Sequence, residues 1–257
     1  YEEESPSGSE HEKWLSMLLA PGSSLGGARP KANVLDADGN LWIAKFPSRA
    51  DDSNMGAWEM VAHELARNIG LTVPECRTET FSKHGRTFLT KRFDRRAGGR
   101  IHFASAMTLL GRNDGDSHDS GCSYLDLAQF IVRQGATPNE DLAELWRRIV
   151  FSIAISNTDD HLRNHGFLLT PQGWALSPAY DINPNPHGGG LAINISMDDN
   201  ALDFDLALSI APQFRLDMSQ AKNQLGRIRD AVSLWRDIAL KQKLSRMEIE
   251  AMEPAFR

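Results

Sequence analysis

The sequence contains little cysteine and no long hydrophobic run. Its only two cysteines, Cys76 and Cys122, lie far apart and outside any CxxC pattern. This arrangement indicates neither a disulfide framework nor a zinc site, so we expect a reducing, cytoplasmic location. The longest apolar stretches, such as residues 149–155 with Ser152 in the middle, are far too short to cross a bilayer, and the acidic N-terminus is unlike a signal peptide. We therefore expect no membrane partner. Because the chain does not begin with Met, we also expect that its natural N-terminus has been removed.

Positive charge is scarce relative to negative charge. The chain carries 28 Lys and Arg against 34 Asp and Glu, a net charge of −6, which argues against broad affinity for nucleic acid or for an anionic membrane. With 257 residues, 41% of them hydrophobic and 24% charged, the composition is typical of a globular protein that is large enough for one big domain or two lobes.

Turn signals and apolar periodicity divide the chain into a tail and two parts of different character. Residues 1–20 begin with an acidic segment rich in Ser and Gly and end in a short apolar patch, which predicts a disordered or docking tail. Residues 21–95 contain strand-like runs around one helix, for which Asn54 is the predicted N-cap and Gly70 the stop. The predicted strands cover residues 32–35, 41–46, 77–81 and 87–93. We expect this part to form a small lobe dominated by a sheet.

Beyond residue 95 the pattern becomes mostly helical. The spacing of apolar residues predicts helices at residues 123–134, 138–156, 219–241 and 245–252. One short hairpin, at residues 166–169 and 174–176, interrupts them. We therefore expect residues 96–257 to form a larger, helical lobe.

The densest polar cluster, residues 157–165, follows the second of these helices. Within it, Asp159 and Asn164 have the spacing of a kinase catalytic loop, in which the Asp orients a hydroxyl and the Asn holds a metal. Asp181 follows after the short hairpin, where a kinase places a second metal ligand, and oxygen donors of this kind suit Mg²⁺. The plainer alternatives are a capped helix end for the cluster and a turn-capping role for Asp181.

The first lobe offers residues that could bind phosphate. Lys45 lies in an apolar strand, where an ammonium group needs partners such as an ATP phosphate and a helix carboxylate, which Glu59 could supply. A lysine on an edge strand with its head in water is the alternative. Gly26 and Gly27 could let backbone N–H groups approach a phosphate, although their loop matches no standard nucleotide-binding motif.

Five segments, in this order, resemble the HipA-like serine/threonine kinases of bacterial toxin–antitoxin systems. They are residues 24–28, 42–47, 70–74, 91–95, and the pair 157–167 with 176–182. The most specific part is Thr-Asp-x-His-x-x-Asn followed by Ser-Pro-x-Tyr-Asp, and the resemblance covers about residues 23–195. It implies an α+β, two-lobed protein-kinase-like fold with a small, mostly β N-lobe and a larger, mostly α-helical C-lobe. It also implies a short form that lacks the family's usual N-terminal subdomain.

Carried over position by position, the resemblance makes Asp159 the catalytic base and Asn164 and Asp181 the magnesium ligands. Lys45 would hold ATP phosphates and form an ion pair with Glu59. The other residues that the resemblance places against ATP are Gly26, Gly27, Ala28, Lys91, Phe93, His161 and Tyr180. Ser24 corresponds to the family's autophosphorylated serine, and Lys91 stands where the family usually has Glu.

The activity that this resemblance implies is transfer of the ATP γ-phosphate to a serine or threonine hydroxyl, with Mg²⁺ as cofactor, in a growth-inhibiting toxin. The implied partners are a protein substrate, such as an aminoacyl-tRNA synthetase or another translation factor, and an antitoxin through which DNA would be contacted only indirectly. Three alternatives stay open: a small-molecule kinase of related fold, a pseudokinase that works by binding, and a metal-dependent hydrolase. The hydrolase would use Asp159, Asp160, His161, His165 and Asp181, because the two histidines have metal-ligand spacing for a helix.

Overall fold

The computed structural model describes residues 29–48, 51–82, 85–96 and 99–257. Two predictions lie outside the described residues. They are the ATP contacts of Gly26, Gly27 and Ala28, and the autophosphorylation of Ser24. The predicted tail at residues 1–20 lies outside them as well.

An antiparallel four-stranded sheet forms the first part of the described chain, with the strand order β1-β2-β4-β3. The strands are β1 (Lys31–Leu35), β2 (Leu41–Lys45), β3 (Cys76–Ser82) and β4 (Gly85–Lys91). Between β1 and β2, the Asp36 carboxylate accepts hydrogen bonds from the backbone N–H groups of Asp38 and Asn40, and Gly39 adopts a φ of +77°. The four predicted strands are confirmed, with strand ends shifted by at most two residues.

One helix, α1 (Met55–Asn68), packs against this sheet. It begins after Asn54, whose side-chain oxygen accepts a hydrogen bond from the N–H of Ala57, as the sequence predicts. The approach to β4 is close at Gly56, because a Cβ atom at this position would clash with the carbonyl oxygen of Arg86. The helix that carries Glu59 is therefore held tightly against the sheet.

The second part begins with short strands. Two of them form a small pair, β5 (Arg95–Arg96) with β6 (Gly99–Arg100). A three-stranded sheet follows, with the order β7 (Phe103–Ser105), β8 (Gly166–Thr170) and β9 (Gly173–Leu176). The predicted hairpin at residues 166–176 is confirmed, whereas its third strand, β7, has no clear signal in the sequence.

Helices make up most of the remainder. They are α2 (Ala106–Leu109), α3 (Tyr124–Gln134), α4 (Pro138–Ala154), α5 (Phe204–Ser209), α6 (Met218–Val232), α7 (Trp235–Lys241) and α8 (Arg246–Met252). Short 3₁₀ turns lie at His118–Ser120, Ala211–Phe214 and Glu253–Ala255. Among the residues that the structure describes, no helix is long and apolar enough to cross a membrane.

The single helix predicted at residues 219–241 is wrong in one respect, because the structure divides it into α6 and α7. At the break, the hydroxyl of Ser233 donates to the carbonyl oxygen of Asp230, and the N–H of Leu234 bonds to Ala231 rather than one residue further back. The break turns Trp235 inward, where it stacks on Phe256 with ring centroids 4.1 Å apart. Apolar periodicity continues across such a break and does not show it.

Two apolar clusters hold the molecule together. The smaller one lies on one face of the first sheet and contains Val34, Trp42, Ala44, Phe46 and Leu89. The larger one extends from the buried face of α1 through the helices of the second part. The predicted α+β organisation, with a small sheet lobe and a larger helical lobe, is confirmed, and α1 contributes to the core of the larger lobe.

Candidate functional site

Lys45, the last residue of β2, lies between two carboxylates. Because successive side chains of a strand alternate, Trp42 and Ala44 pack in the small cluster, and Lys45 points to the opposite face, toward α1. There the Lys45 Nζ forms an ion pair with Glu59 of α1 and lies 2.7 Å from the Oδ1 of Asp181. Three residues from three distant segments thus meet at one point between the lobes.

The charges of Lys45 and Asp181 stabilise each other. Burial favours the neutral form of Lys45, but the carboxylates of Glu59 and Asp181 outweigh burial and raise the pKa of the lysine. Burial also opposes ionisation of Asp181, yet the charge of Lys45 lowers the pKa of this carboxyl below its ordinary value. Glu59 is only 4% exposed, and burial raises its pKa. At neutral pH, Lys45 is therefore a cation and Asp181 an anion.

Asp181 lies in the loop after β9 and has an unusual backbone conformation. Its φ is +58°, in the left-handed region that few residues other than glycine adopt and that Asp tolerates. The loop is fastened to the polar cluster at two points. The Asn183 N–H donates to the side-chain oxygen of Asn157 over 3.2 Å, and the side-chain amide of Asn185 donates to the Thr158 hydroxyl over 2.7 Å. These contacts hold the strained loop in place.

The polar cluster, residues 157–165, forms successive turns that leave Asp159 exposed. The side-chain Nδ2 of Asn164 donates to the Asp159 carbonyl oxygen over 2.8 Å, and the N–H of His161 donates to the same oxygen over 2.9 Å. The first bond fixes which end of the Asn164 amide is the oxygen. Asp159 and Asn164 are therefore brought together, as the spacing predicts, by a side-chain-to-backbone hydrogen bond.

Asp160, the neighbour of Asp159, is buried and fully engaged in the core. It accepts hydrogen bonds from the Tyr124 hydroxyl at 2.5 Å and from the Ser152 hydroxyl at 3.2 Å, and its Oδ1 lies 3.1 Å from the Nε2 of His165. Burial opposes ionisation of Asp160, but His165 and these hydrogen bonds lower its pKa. Asp160 thus attaches the polar cluster to Tyr124 and Ser152 in the core.

The hydrolase alternative requires His161 and His165 on one face of a helix, and this expectation is wrong. Both lie in the turns of residues 157–165, and only His165 is fully buried. Among the described residues, no three His, Cys, Asp or Glu side chains are grouped so that they could hold a metal ion.

Three aromatic rings pack together beside the site. The ring of Tyr180 lies 5.7 Å from that of Phe93 and 6.2 Å from that of Phe103, between centroids. The Tyr180 hydroxyl donates to the carbonyl oxygen of Arg163 over 2.6 Å, and burial raises its pKa. Phe93 and Tyr180, predicted from two lobes to line one site, are therefore in contact.

Lys91 ends β4 on the side of the sheet that leads to the second lobe. Its N–H donates to the carbonyl oxygen of Glu75 over 2.8 Å, and its Nζ lies 3.4 Å from the carboxylate of the same residue. The next residue, Arg92, forms a two-pronged ion pair with Asp94, with bonds of 2.8 and 2.7 Å. The chain that connects the lobes is thereby stiffened.

A buried charged pair inside the larger lobe is not among the residues that the sequence pattern singled out. Glu144 and Arg148, one turn apart on α4, are 7% and 5% exposed and contact the segments that precede Asp181 and follow α1. The sequence does carry a signal for this pair, because Glu144 and Arg148 have opposite charges at an i, i+4 spacing and most residues around them on the helix are apolar.

Asp181 and Asn164 carry oxygen donors of the kind that magnesium binds. Asp181 supplies a carboxylate whose side chain is 34% exposed, and Asn164 supplies an amide oxygen. Mg²⁺ takes one or two such hard oxygen ligands from a protein and completes its shell with water and phosphate oxygens. Asp181 and Asn164 are thus the residues that could hold this ion.

Most of the chain matches the model of a known family. The sequence pattern of the HipA-like C-terminal domain family matches residues 23–236. The chain belongs to this family. The matched range contains Lys45, Glu59, Asp159, Asn164 and Asp181.

Two relatives from Sinorhizobium fredii, each named "Putative kinase" (Y4dM and Y4mE), are 32% identical over 162 residues and 30% identical over 182 residues. These matches cover 57% and 62% of this chain but only 38% and 41% of the relatives. The chain thus spans about two fifths of the length of these relatives.

Two solved structures share the fold. HipA of Shewanella oneidensis MR-1, in complex with HipB and operator DNA, has a TM-score of 0.72 at 18% identity and matches 99% of this chain and 70% of its own. The Helicobacter pylori proinflammatory kinase CtkA has a TM-score of 0.58 at 17% identity over 92% of this chain and 95% of its own. The predicted two-lobed, protein-kinase-like fold is therefore confirmed.

Proposed function

We propose that this HipA-like chain is a serine/threonine protein kinase that transfers the γ-phosphate of ATP to a hydroxyl group. The observation that carries this proposal is the position of Lys45 Nζ between Glu59 and Asp181. A strand lysine paired with a helix glutamate, close to a metal-binding aspartate, is the arrangement on which protein kinases depend. Membership of a HipA-like family supports the proposal.

In the proposed reaction, Lys45 binds phosphate oxygens and Glu59 orients the lysine. Asp159 orients the attacking hydroxyl and accepts its proton while the new O–P bond forms and the bond from the γ-phosphorus to the β–γ bridging oxygen breaks, which releases ADP. Asn164 and Asp181 would hold Mg²⁺, which when bound neutralises phosphate charge. The residues make their contribution by position and charge, since the reacting groups need little covalent help.

The remaining predicted contacts are part of the same proposal. The backbone around Lys91 and Phe93 would meet the adenine, and His161 and Tyr180 would line the nucleotide site. Gly26, Gly27 and Ala28 would approach the phosphates, and Ser24 would be the autophosphorylated residue.

The biological role that we propose is that of a toxin in a toxin–antitoxin system. It is supported by the fold shared with HipA, which has been seen with HipB and operator DNA. The partners would be an antitoxin, with DNA contacted only through it, and a protein substrate such as an aminoacyl-tRNA synthetase or another translation factor.

The test is transfer of label from γ-labelled ATP to protein, with Mg²⁺ present and then removed by a chelator. The Asp159→Asn variant should lose transfer, whereas Asp198→Asn, the same change at an exposed carboxylate far along the chain, should keep it. Transfer that Asp159→Asn leaves unchanged would overturn the proposal. Release of labelled phosphate to a small acceptor, with none on protein, would favour the small-molecule kinase, and ATP binding without transfer would favour the pseudokinase.

A further inference from the structure

A closed ring of hydrogen bonds lies behind the site. Arg148 donates to Glu144 over 3.0 Å and to the Ser177 carbonyl oxygen over 2.7 Å. The same Glu144 accepts from the N–H of Thr72 over 3.0 Å, and the Thr72 carbonyl oxygen accepts from the N–H of Ala179 over 2.8 Å. Ser177 and Ala179 are two residues apart, so the backbone between them completes the ring.

The ring joins the two segments whose relative position sets the site. Thr72 lies shortly after the end of α1, the helix that carries Glu59. Ala179 lies two residues before Asp181. A shift of Thr72 against Ala179 would therefore change the distance between the two carboxylates that share Lys45.

The pair at the centre of the ring contributes little to stability by itself. Removing both charges from water costs about as much free energy as their attraction returns, so an apolar pair of similar volume would serve the core at least as well. The pair instead fixes the positions of its backbone partners, because a guanidinium group and a carboxylate each bind such partners in a defined geometry.

We infer that Glu144 and Arg148 are positioning residues that hold Asp181 in register with the Lys45–Glu59 pair. The inference rests on the proposed kinase function for its role in catalysis. Neither residue touches ATP or the reacting atoms, so both act through the backbone of Thr72, Ser177 and Ala179.

The experiment compares Arg148→Met with Arg147→Met in the full chain. Arg147 is the matched control, because it lies next to Arg148 on α4 and also contacts Glu144, over 2.6 Å, while the structure gives it no bond to Ser177. The readouts are the rate of autophosphorylation, the ATP and Mg²⁺ concentrations for half-maximal rate, and hydrogen–deuterium exchange at residues 71–74 and 177–183.

Arg148→Met should lower the maximal rate about tenfold and raise the half-saturating Mg²⁺ concentration about tenfold, with less effect on ATP, and should speed exchange in both segments. Arg148→Lys should recover part of the rate, and Arg147→Met should match the wild type. A folded Arg148→Met with wild-type Mg²⁺ dependence and exchange would overturn the inference. Should Arg148→Met fail to fold, the double variant Glu144→Leu with Arg148→Met, which leaves neither charge buried, carries the same expectations and the same contradicting result.

The outcome for the kinase proposal is read separately. Absence of phosphotransfer in the wild type would defeat that proposal, and exchange alone would then decide the inference. Faster exchange in both segments of Arg148→Met, but not of Arg147→Met, would support the ring as a positioning device, and equal exchange in the two variants would refute it.

Discussion

Lys45 and Asp181 are 136 positions apart in the chain, yet the ammonium nitrogen of Lys45 lies 2.7 Å from a carboxylate oxygen of Asp181. The contact joins the end of a strand in the sheet lobe to a strained loop of the helical lobe. Glu59 lies on the other side of the lysine. The geometry of this three-residue group therefore depends on how the two lobes are placed relative to each other.

The Lys45–Glu59 pair leads to a prediction about stability. Lys45→Met should destabilise the protein by about 3 kcal/mol, because the Glu59 carboxylate would remain buried without its partner. Lys45→Met combined with Glu59→Leu should recover most of that loss, since the buried carboxylate of Glu59 is then gone and the remaining carboxylate, Asp181, is 34% exposed. Urea unfolding of the single and double variants measures the difference. Equal destabilisation of the two would contradict this account of the pair.

Substitution by asparagine should affect activity at Asp159 and stability at Asp160, although the two aspartates are adjacent. Asp159 is exposed, so Asp159→Asn should change the free energy of unfolding by less than about 0.5 kcal/mol but lower phosphotransfer about 100-fold or more. Asp160 is 5% exposed and accepts hydrogen bonds from Tyr124 and Ser152, so Asp160→Asn should cost about 2 kcal/mol of stability. Thermal unfolding and label transfer on both variants check the pair, and a large loss of stability in Asp159→Asn would speak against its placement.

Two helical glycines offer a matched comparison. At Gly56 an added Cβ atom would clash with the Arg86 carbonyl oxygen, whereas an added Cβ at Gly226 in α6 would have no neighbour within 4 Å apart from the adjoining helix backbone. Gly226→Ala should therefore stabilise the protein by about 0.5 to 1 kcal/mol, because alanine favours helix. Gly56→Ala should destabilise it and displace α1, with a loss of ATP binding. The measurements are unfolding free energies and nucleotide affinity, and a stabilised Gly56→Ala would show that α1 does not need this close approach.

His63 predicts how stability depends on pH. It lies one turn after Glu59 on α1, is 2% exposed, and has no hydrogen-bond partner for its ring nitrogens among the described residues. Burial, with help from the charge of Lys45, lowers the pKa of His63 from 6.5 to about 3. Because the unfolded chain binds this proton below about pH 6.5 and the folded protein does not, stability should fall as the pH decreases toward 3.

The size of this effect follows from the same linkage. Between pH 7 and pH 5, His63 should remove about 2 kcal/mol of stability. His63→Leu should lose correspondingly less stability over that interval than the wild type, measured by urea unfolding at both pH values. If the two proteins lose the same amount, His63 is not a buried neutral histidine.

Local signals predicted much of this fold and of its site. The sequence predicts Asn54 as a helix cap and a hairpin at residues 166–176. Both depend on neighbouring residues, and both appear where the sequence indicates. The spacing of Asp159 and Asn164 is equally local and is realised as a hydrogen bond between them.

Other features depend on contacts between distant segments, which a single sequence does not display. The break between α6 and α7 accompanies the packing of Trp235 on Phe256, and the left-handed backbone of Asp181 is held by contacts around Asn157. The ring through Glu144 and Arg148 joins residues of three separate segments. Each is a property of packing rather than of local propensity.

Kinase activity is tested most directly by intact-mass spectrometry of the purified chain before and after incubation with Mg-ATP, beside the Asp159→Asn and Ser24→Ala variants. The starting mass shows any phosphate that is already present, and such protein is treated with a phosphatase first. The account predicts that the wild type gains the mass of one phosphate and that both variants gain none. A wild type of unchanged mass that also fails to bind ATP, or one that gains the mass of AMP, would contradict it.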